Sequence, residues 1–189
     1  MSDEELMVQV MDHHSHPAIV ELHSRYSQKL LGYFMKMLNK DLDLSQDFVQ
    51  EIFLKILEKK HLYDPSKKFY TWLFTIASNM CKTSYRRVPF NRISDDGYEL
   101  NQTIHLNENL ADKENFKQLL HESIETLEYG QKTVFVLRYM EQFSLNEIAE
   151  IMEISTGTVK SRLFYATQKI AKQLSIYDPQ YESNLFKLS

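Results

Sequence analysis

Two groups of side chains in this chain have the chemistry to hold a polyanion. In the first, Lys67 and Lys68 run into Phe69, Tyr70 and Trp72, so cations adjoin aromatic rings. A ring can take the place of a stacked base, worth about 1–3 kcal/mol per base, while cations hold the strand that carries it. The helical pattern that follows puts Thr75, Ser78, Asn79, Lys82 and Arg86 on one stripe and Leu73, Ile76, Ala77, Met80 and Ser84 on the other. Amide and basic side chains on one stripe fit phosphate and base contact. Taken singly, Phe69 and Trp72 also fit a helical core. In the second group, Gly157, Lys160, Ser161, Phe164 and Tyr165 face away from Val159, Leu163, Ala166 and Ile170 at 100° per residue. A small polar cap followed by exposed Lys and Ser and then Arg162 suits a helix entering a major groove, whose N-terminal amides favour phosphate. An ordinary antiparallel helix pair would have the same apolar spacing.

Nucleophile and metal chemistry are poorly served. His13, His14 and His16 stand at a break before Pro17 with no acid or Cys cluster beside them, so they read as a loop. Cys81 is alone, which excludes an intramolecular disulfide and a cysteine zinc site. No catalytic residue, metal or cofactor is expected. No apolar run approaches membrane-spanning length, and the acidic start MSDEEL lacks a signal peptide's basic flank, so a cytoplasmic protein without membrane insertion is expected.

The net charge of −4 hides an uneven distribution. Residues 78–93 hold Lys82, Arg86, Arg87 and Arg92 without an acid, and 155–176 hold Lys160, Arg162, Lys169 and Lys172 without an acid. Between them, 94–128 is strongly acidic. Two basic patches on either side of an acidic span fit two separate contacts with one polyanion.

The elements that position these groups are helical throughout, since Gly and Pro are few and no alternating β-branched run occurs. Ser2 and Glu5 make a capping box for a first helix to about Asp12. A second spans Ala18 to Leu38. A third, opened by Asp43 or Ser45, buries Phe48, Val49, Ile52, Phe53, Ile56 and Leu57 on one wide face. Asp47, Gln50, Glu51, Lys55 and Glu58 flank that face. Periodicity is lost from Val88 to Asp112 and returns at about Lys113. Gly130 punctuates, Thr133–Met140 makes a further helix, and Ser144 with Glu147 caps the helix before the turn at Glu153–Ser155. Ser155 or Thr156 caps the outward-facing helix, and Tyr177–Ser189 reads as a tail.

Four stretches together resemble the extracytoplasmic-function type of bacterial RNA polymerase sigma factor, which keeps only the second and fourth sigma domains. They are DFVQEIFLKIL (47–57), FYTWLFTIASN (69–79), QKTVFVLRYMEQFSLNEIAEIMEIS (131–155) and TGTVKSRL (156–163). The resemblance implies an all-α chain of two small helical domains, 1–90 and 113–176, joined by a flexible acidic linker, 91–112, with a tail at 177–189. It implies that Asp47, Gln50, Glu51 and Phe53 dock on the clamp helices of the polymerase β′ subunit, and that the β flap is a second polymerase contact. Lys68, Phe69, Tyr70, Trp72, Asn79, Lys82, Arg86 and Arg87 match the segment that melts and reads the start-proximal promoter element. Thr156, Thr158, Lys160, Ser161, Arg162 and Tyr165 match the helix that reads the more distant element. An anti-sigma factor is an implied partner, beside core polymerase and duplex and single-stranded promoter DNA.

The chain departs from the family pattern in places. Glu153 stands where a glycine is usual, which costs about 1–2 kcal/mol if the left-handed backbone is kept. Tyr165, Gln168, Thr75 and Ser78 replace frequently basic residues. A linker of about 25 residues at about 3.3 Å each could span about 80 Å, enough for two sites two DNA turns, about 70 Å, apart. The alternatives are a stand-alone helix-turn-helix regulator and, more remotely, a metal-dependent hydrolase using His13, His14 and His16. The former leaves 47–57 and 67–72 without a role.

Overall fold

The computed structural model describes residues 1–87 and 110–174, and among these every regular element is helical. Helix α1 (Asp3–His13) has the expected capping box, with Ser2 Oγ accepting the Glu5 amide and the Glu5 carboxylate accepting the Ser2 amide. It lays Leu6, Met7 and Val10 on α2 (His16–Met37), whose cap is Ser15 and whose first turn holds Pro17. His13 and His16 are thus helix ends, and only His14 and Ser15 separate the helices. His14 takes the left-handed conformation, φ 49°.

Helix α3 (Leu42–Lys59) opens earlier than expected. Asp41 accepts the Leu44 amide at 3.0 Å, while Ser45 is buried and its hydroxyl donates back to the Asp41 carbonyl. A carboxylate at the cap complements the positive end of the helix and does this work better than a buried hydroxyl. A short 3-10 turn, Lys60–Leu62, and a loop lead to α4 (Phe69–Arg87).

The second group of helices starts with α5 (Leu110–Glu125), three residues before the expected return of periodicity. Residues 88–109, which include most of the expected linker, and residues from 175 onward, which include the expected tail, lie outside the described residues. Helix α6 (Tyr129–Phe135) runs into a π-helical turn, Val136–Met140. Gly130 therefore lies inside a helix rather than punctuating one; the break is at 126–128. What the glycine permits is close approach, because a Cβ there would meet the Arg162 guanidinium at 3.1 Å. Helices α7 (Leu145–Met152) and α8 (Thr156–Leu174) form the helix-turn-helix. Glu153 caps α7 in the left-handed conformation, φ 55°, so the backbone usual for a glycine is kept without one.

Leu22, Leu30, Tyr33, Phe34, Ile52, Ile56, Leu73 and Phe74 are fully buried between α2, α3 and α4. This core does not stop at α4. Phe143, Ile148 and Ile151 from the helix-turn-helix continue it, each at most 2% exposed. Burying such a side chain is worth about 1.5–3 kcal/mol. A smaller cluster of Ile124, Leu127, Phe135, Ala166, Ile170 and Leu174 holds α5, α6 and α8 together.

Candidate nucleic-acid and protein interfaces

The outer face of α3 carries the first candidate surface. Asp47, Gln50 and Glu51 are exposed, and Glu51 pairs with Lys55 at 3.0 Å. Phe53 is not on this face. Its ring is buried beneath it, 4.6 Å from His23, and supports the helix from inside. Leu57, expected in the buried face, is exposed instead, as is Leu54 at 60%. Residues 47, 50, 54 and 57 follow one another at helical spacing, so two apolar side chains extend the acidic and amide pair along one stripe. That 3–4–3 spacing was present in the sequence, but Leu57 also fits the inward pattern of its neighbours.

The aromatic-basic segment is held by its own turn. Asp64 accepts from the Ser66 amide and hydroxyl, the Lys67 amide bonds to the Asp64 carbonyl, and Tyr63 donates to the Lys67 carbonyl at 2.7 Å. Phe69 is a core residue, fully buried against Tyr26, Tyr63 and Trp72. Its amide donates to Glu4 at 3.0 Å, and this bond holds the Glu4 carboxyl below its usual range. Tyr70 is half-buried among Tyr26, Phe74 and Phe143, with the Lys29 ammonium 4.5 Å from its ring centre. Burial and the Glu141 carboxylate push its phenol up.

Trp72, also half-buried, stands at a groove of about 450 Å³ between α3 and α4, which Glu51, Asn79 and Arg87 also line. Asn79, Lys82, Arg86 and Arg87 are exposed as expected, but Ser78 is not. It is 5% exposed, because Tyr129 covers it and donates to its carbonyl at 3.0 Å. Lys68 is exposed and reaches Glu147 of α7 at 2.8 Å, while Lys67 reaches Glu150 at 3.1 Å. The Lys68 ammonium first, and the Ser144 amide next, pull the Glu147 carboxyl down to about 2.

On α8, Ser155 Oγ accepts the Thr158 amide at 3.1 Å and lies 2.8 Å from its hydroxyl, which fixes the first turn. Thr156 and Thr158 are half-buried, Lys160 and Ser161 are exposed, and Ser161 donates to the Thr158 carbonyl. Tyr165 is 56% exposed beside Phe164. Arg162 lies half-buried over Gly130, facing α4 across a gap of about 170 Å³ that Asn79 and Lys82 also line. Sequence reasoning put Arg162 on the DNA-facing arc and missed this second position. Glu4, Glu147 and Glu150 were also missed as partners, because only the fold brings them to α4.

Among the described residues, no three His, Cys, Asp or Glu side chains are grouped to hold a metal ion, and no helix is long and apolar enough to cross a membrane.

Known proteins match both halves. The family model for Sigma-70 region 2 matches residues 22–88, and that for Sigma-70, region 4 matches 117–176. The ECF RNA polymerase sigma-E factor of Haemophilus influenzae is 32% identical over 161 residues, covering 80% of this chain and 84% of that one. Among solved structures, CnrH in complex with the cytosolic domain of CnrY superposes with a TM-score of 0.68 at 21% identity, covering 92% of this chain and 97% of that one. The sigma factor RpoE of Bartonella quintana, solved with the anti-sigma factor NepR, gives 0.59 at 22% identity, covering 79% of this chain and 92% of that one. With its two sigma regions in order and a relative matched over most of its length, the chain belongs to the extracytoplasmic-function RNA polymerase sigma factors and is an alternative sigma factor that directs RNA polymerase to promoters.

Proposed function

We propose a division of labour among three surfaces. The α3 stripe of Asp47, Gln50 and Glu51, extended by Leu54 and Leu57, docks on the β′ clamp helices of core polymerase, with Phe53 as its inner support. The second helical unit makes the β-flap contact. The start of α4 captures and melts the start-proximal element: Lys68, Tyr70 and Trp72 hold the displaced strand, Phe69 braces them from the core, and Asn79, Lys82, Arg86 and Arg87 continue along the DNA. Helix α8 reads the distant element through Thr156, Thr158, Lys160, Ser161, Arg162 and Tyr165. The first unit ends near residue 90 and the second begins by Leu110. The chain performs no catalysis of its own and acts in the cytoplasm, where polymerase and promoters are. Since RpoE of Bartonella quintana is held by an anti-sigma factor, a protein inhibitor of that class is the partner we assign to this chain.

The observation that carries this reading is the pairing on one helical unit of an exposed acidic-apolar stripe on α3 with an exposed basic stripe on α4. A stand-alone regulator would need only α7 and α8. The test is run-off transcription with core polymerase on genomic fragments, with start sites mapped. Discrete starts that require this chain are expected. Tight, sequence-specific duplex binding without polymerase, and no run-off product, would overturn it.

A further inference from the structure

We propose that the first turn of α1 belongs to the strand-capturing apparatus: Asp3, through Tyr26, and Glu4, through the Phe69 amide, fix where the Tyr70 ring stands. This rests on the role assigned above to Tyr70. Neither carboxylate touches DNA, so both are positioning residues. The match to Sigma-70 region 2 begins at residue 22, and α1 lies before it. Asp3 takes the Tyr26 hydroxyl on one oxygen and the Arg25 guanidinium, at 2.8 Å, on the other. Arg25 is held in turn by Glu21 at 2.8 Å and by the Met1 carbonyl at 3.3 Å. The carboxylate therefore has a fixed place, and the hydroxyl bonded to it fixes the far end of the Tyr26 ring. That ring lies 5.8 Å from Tyr70, 28° from parallel, and meets Phe69 edge-on at 5.6 Å. One residue further along, Glu4 accepts the Phe69 amide at 3.0 Å, so the backbone that carries Tyr70 is tied to the same turn of α1.

Helix α1 can serve as a fixed reference because its other side is anchored independently. Leu6, Met7 and Val10 are at most 4% exposed. The Lys60 ammonium donates to the Val10 carbonyl at 3.2 Å, and Lys60 opens the turn that leads from α3 toward α4. Phe74 and Phe143 also pack on Tyr70. They carry no polar group to set its tilt, and apolar burial is non-directional. A hydrogen bond does have a direction, and it weakens steeply as the angle closes. Asp3 and Arg25 are partly exposed, so their ion pair adds little to folding stability. What it fixes is the place of the carboxylate that receives Tyr26.

The test uses the full chain with core polymerase, on a promoter mapped by run-off transcription. The probes are the duplex and a single-stranded oligonucleotide carrying the non-template strand of the start-proximal element. Tyr26→Phe removes one hydroxyl and leaves the ring. It should lower holoenzyme affinity for the single strand, and permanganate-detected opening of the duplex, by about 3- to 10-fold, as expected for one lost hydrogen bond. Affinity for core polymerase and formation of closed duplex complexes should match wild type. Asp3→Ala breaks the same bond from the other side and should do the same, and combining the two should cost nothing more. Glu4→Ala should also lower both readouts, and Glu4→Gln, whose amide oxygen can still accept from Phe69, should recover part of them. The deciding background is Tyr70→Ala. If Tyr26 acts through Tyr70, Tyr26→Phe causes no further loss there, whereas a general loss of stability would add in full. An additive loss overturns the proposal, as does opening equal to wild type in both Tyr26→Phe and Asp3→Ala. Wild-type affinity of Tyr70→Ala for the single strand would instead overturn the role of Tyr70 itself, and this inference with it.

Discussion

The carboxylate of Glu4 accepts the backbone amide of Phe69 at 3.0 Å, so the first helix of the chain caps the fourth. Glu4 satisfies one of the orphan amides at that end while placing negative charge at the helix N-terminus. The aromatic cluster at the start of α4 thus depends on a residue 65 positions away. We expect Glu4→Ala to cost about 1 kcal/mol, the usual loss for a removed cap, read as a lowered denaturation midpoint. Glu4→Gln should recover part of it. Equal stability of Glu4→Ala and wild type would show that water satisfies the amide.

How far the sequence led depended on range. The caps at Ser2, Ser144 and Ser155 are local, each bonding an amide three residues on, and each was legible. The left-handed Glu153 was raised only as a condition, by the resemblance that puts a glycine at this position, and the structure keeps that backbone. What was not legible came from packing between distant elements. Ser78 lies on the polar stripe of α4 by spacing, yet Tyr129 buries it. Phe69 and Tyr70 are neighbours of one type, and only the arrival of α1 and α2 decides that the first becomes core and the second stays half-open. Gly130 reads as a break until Arg162 is seen above it.

Glu147 gives a pH prediction with a definite sign. Its carboxyl is held at about 2 in the folded chain against an ordinary 4.5, chiefly by Lys68. A depressed carboxylate contributes stability that is full above the unfolded value and is lost as pH falls through the folded one. Wild type should therefore lose stability relative to Glu147→Gln between about pH 4.5 and 2, measured as the difference in unfolding midpoints across that window. A constant difference over the whole range would show that the pairing with Lys68 is not made in solution.

Docking should separate from folding. Gln50 and Glu51 are exposed beside the apolar face of α3, so Gln50→Ala with Glu51→Ala should leave helicity unchanged by circular dichroism. Affinity for core polymerase should fall in a titration. Unchanged polymerase affinity would place the docking surface elsewhere on the chain.

The distant promoter element should be read through an electrostatic contact that salt reveals. Lys160 is exposed on α8 within a stretch, 155–176, that holds no acid, so Lys160→Ala should weaken binding of the holoenzyme to duplex promoter and lower the slope of log K against log salt by about one. If Lys160 reads a base instead, the loss will concentrate at one position of the element. A slope and affinity equal to wild type on a promoter that needs this element would remove Lys160 from the interface.

Strand opening is the step that an ordinary DNA-binding regulator lacks, and Tyr70 is the residue on which to test it. Its ring is half-buried, stacked on Phe143 and flanked by Tyr26. Lys67 and Lys68 adjoin it, and in the function proposed above Lys68 holds the strand. Loss of one stacking ring should cost about 1–3 kcal/mol in capture of unpaired bases and little in duplex binding. Tyr70→Ala should therefore form duplex promoter complexes with polymerase but leave few thymines reactive to permanganate. A template carrying a pre-melted bubble at the start-proximal element should restore much of its transcription, since the unpaired bases no longer have to be captured against re-annealing. Folding is checked by the far-ultraviolet spectrum and by polymerase binding, both of which should match wild type. Thymine reactivity equal to wild type on linear duplex would take Tyr70 out of the melting apparatus and leave its ring a purely structural one.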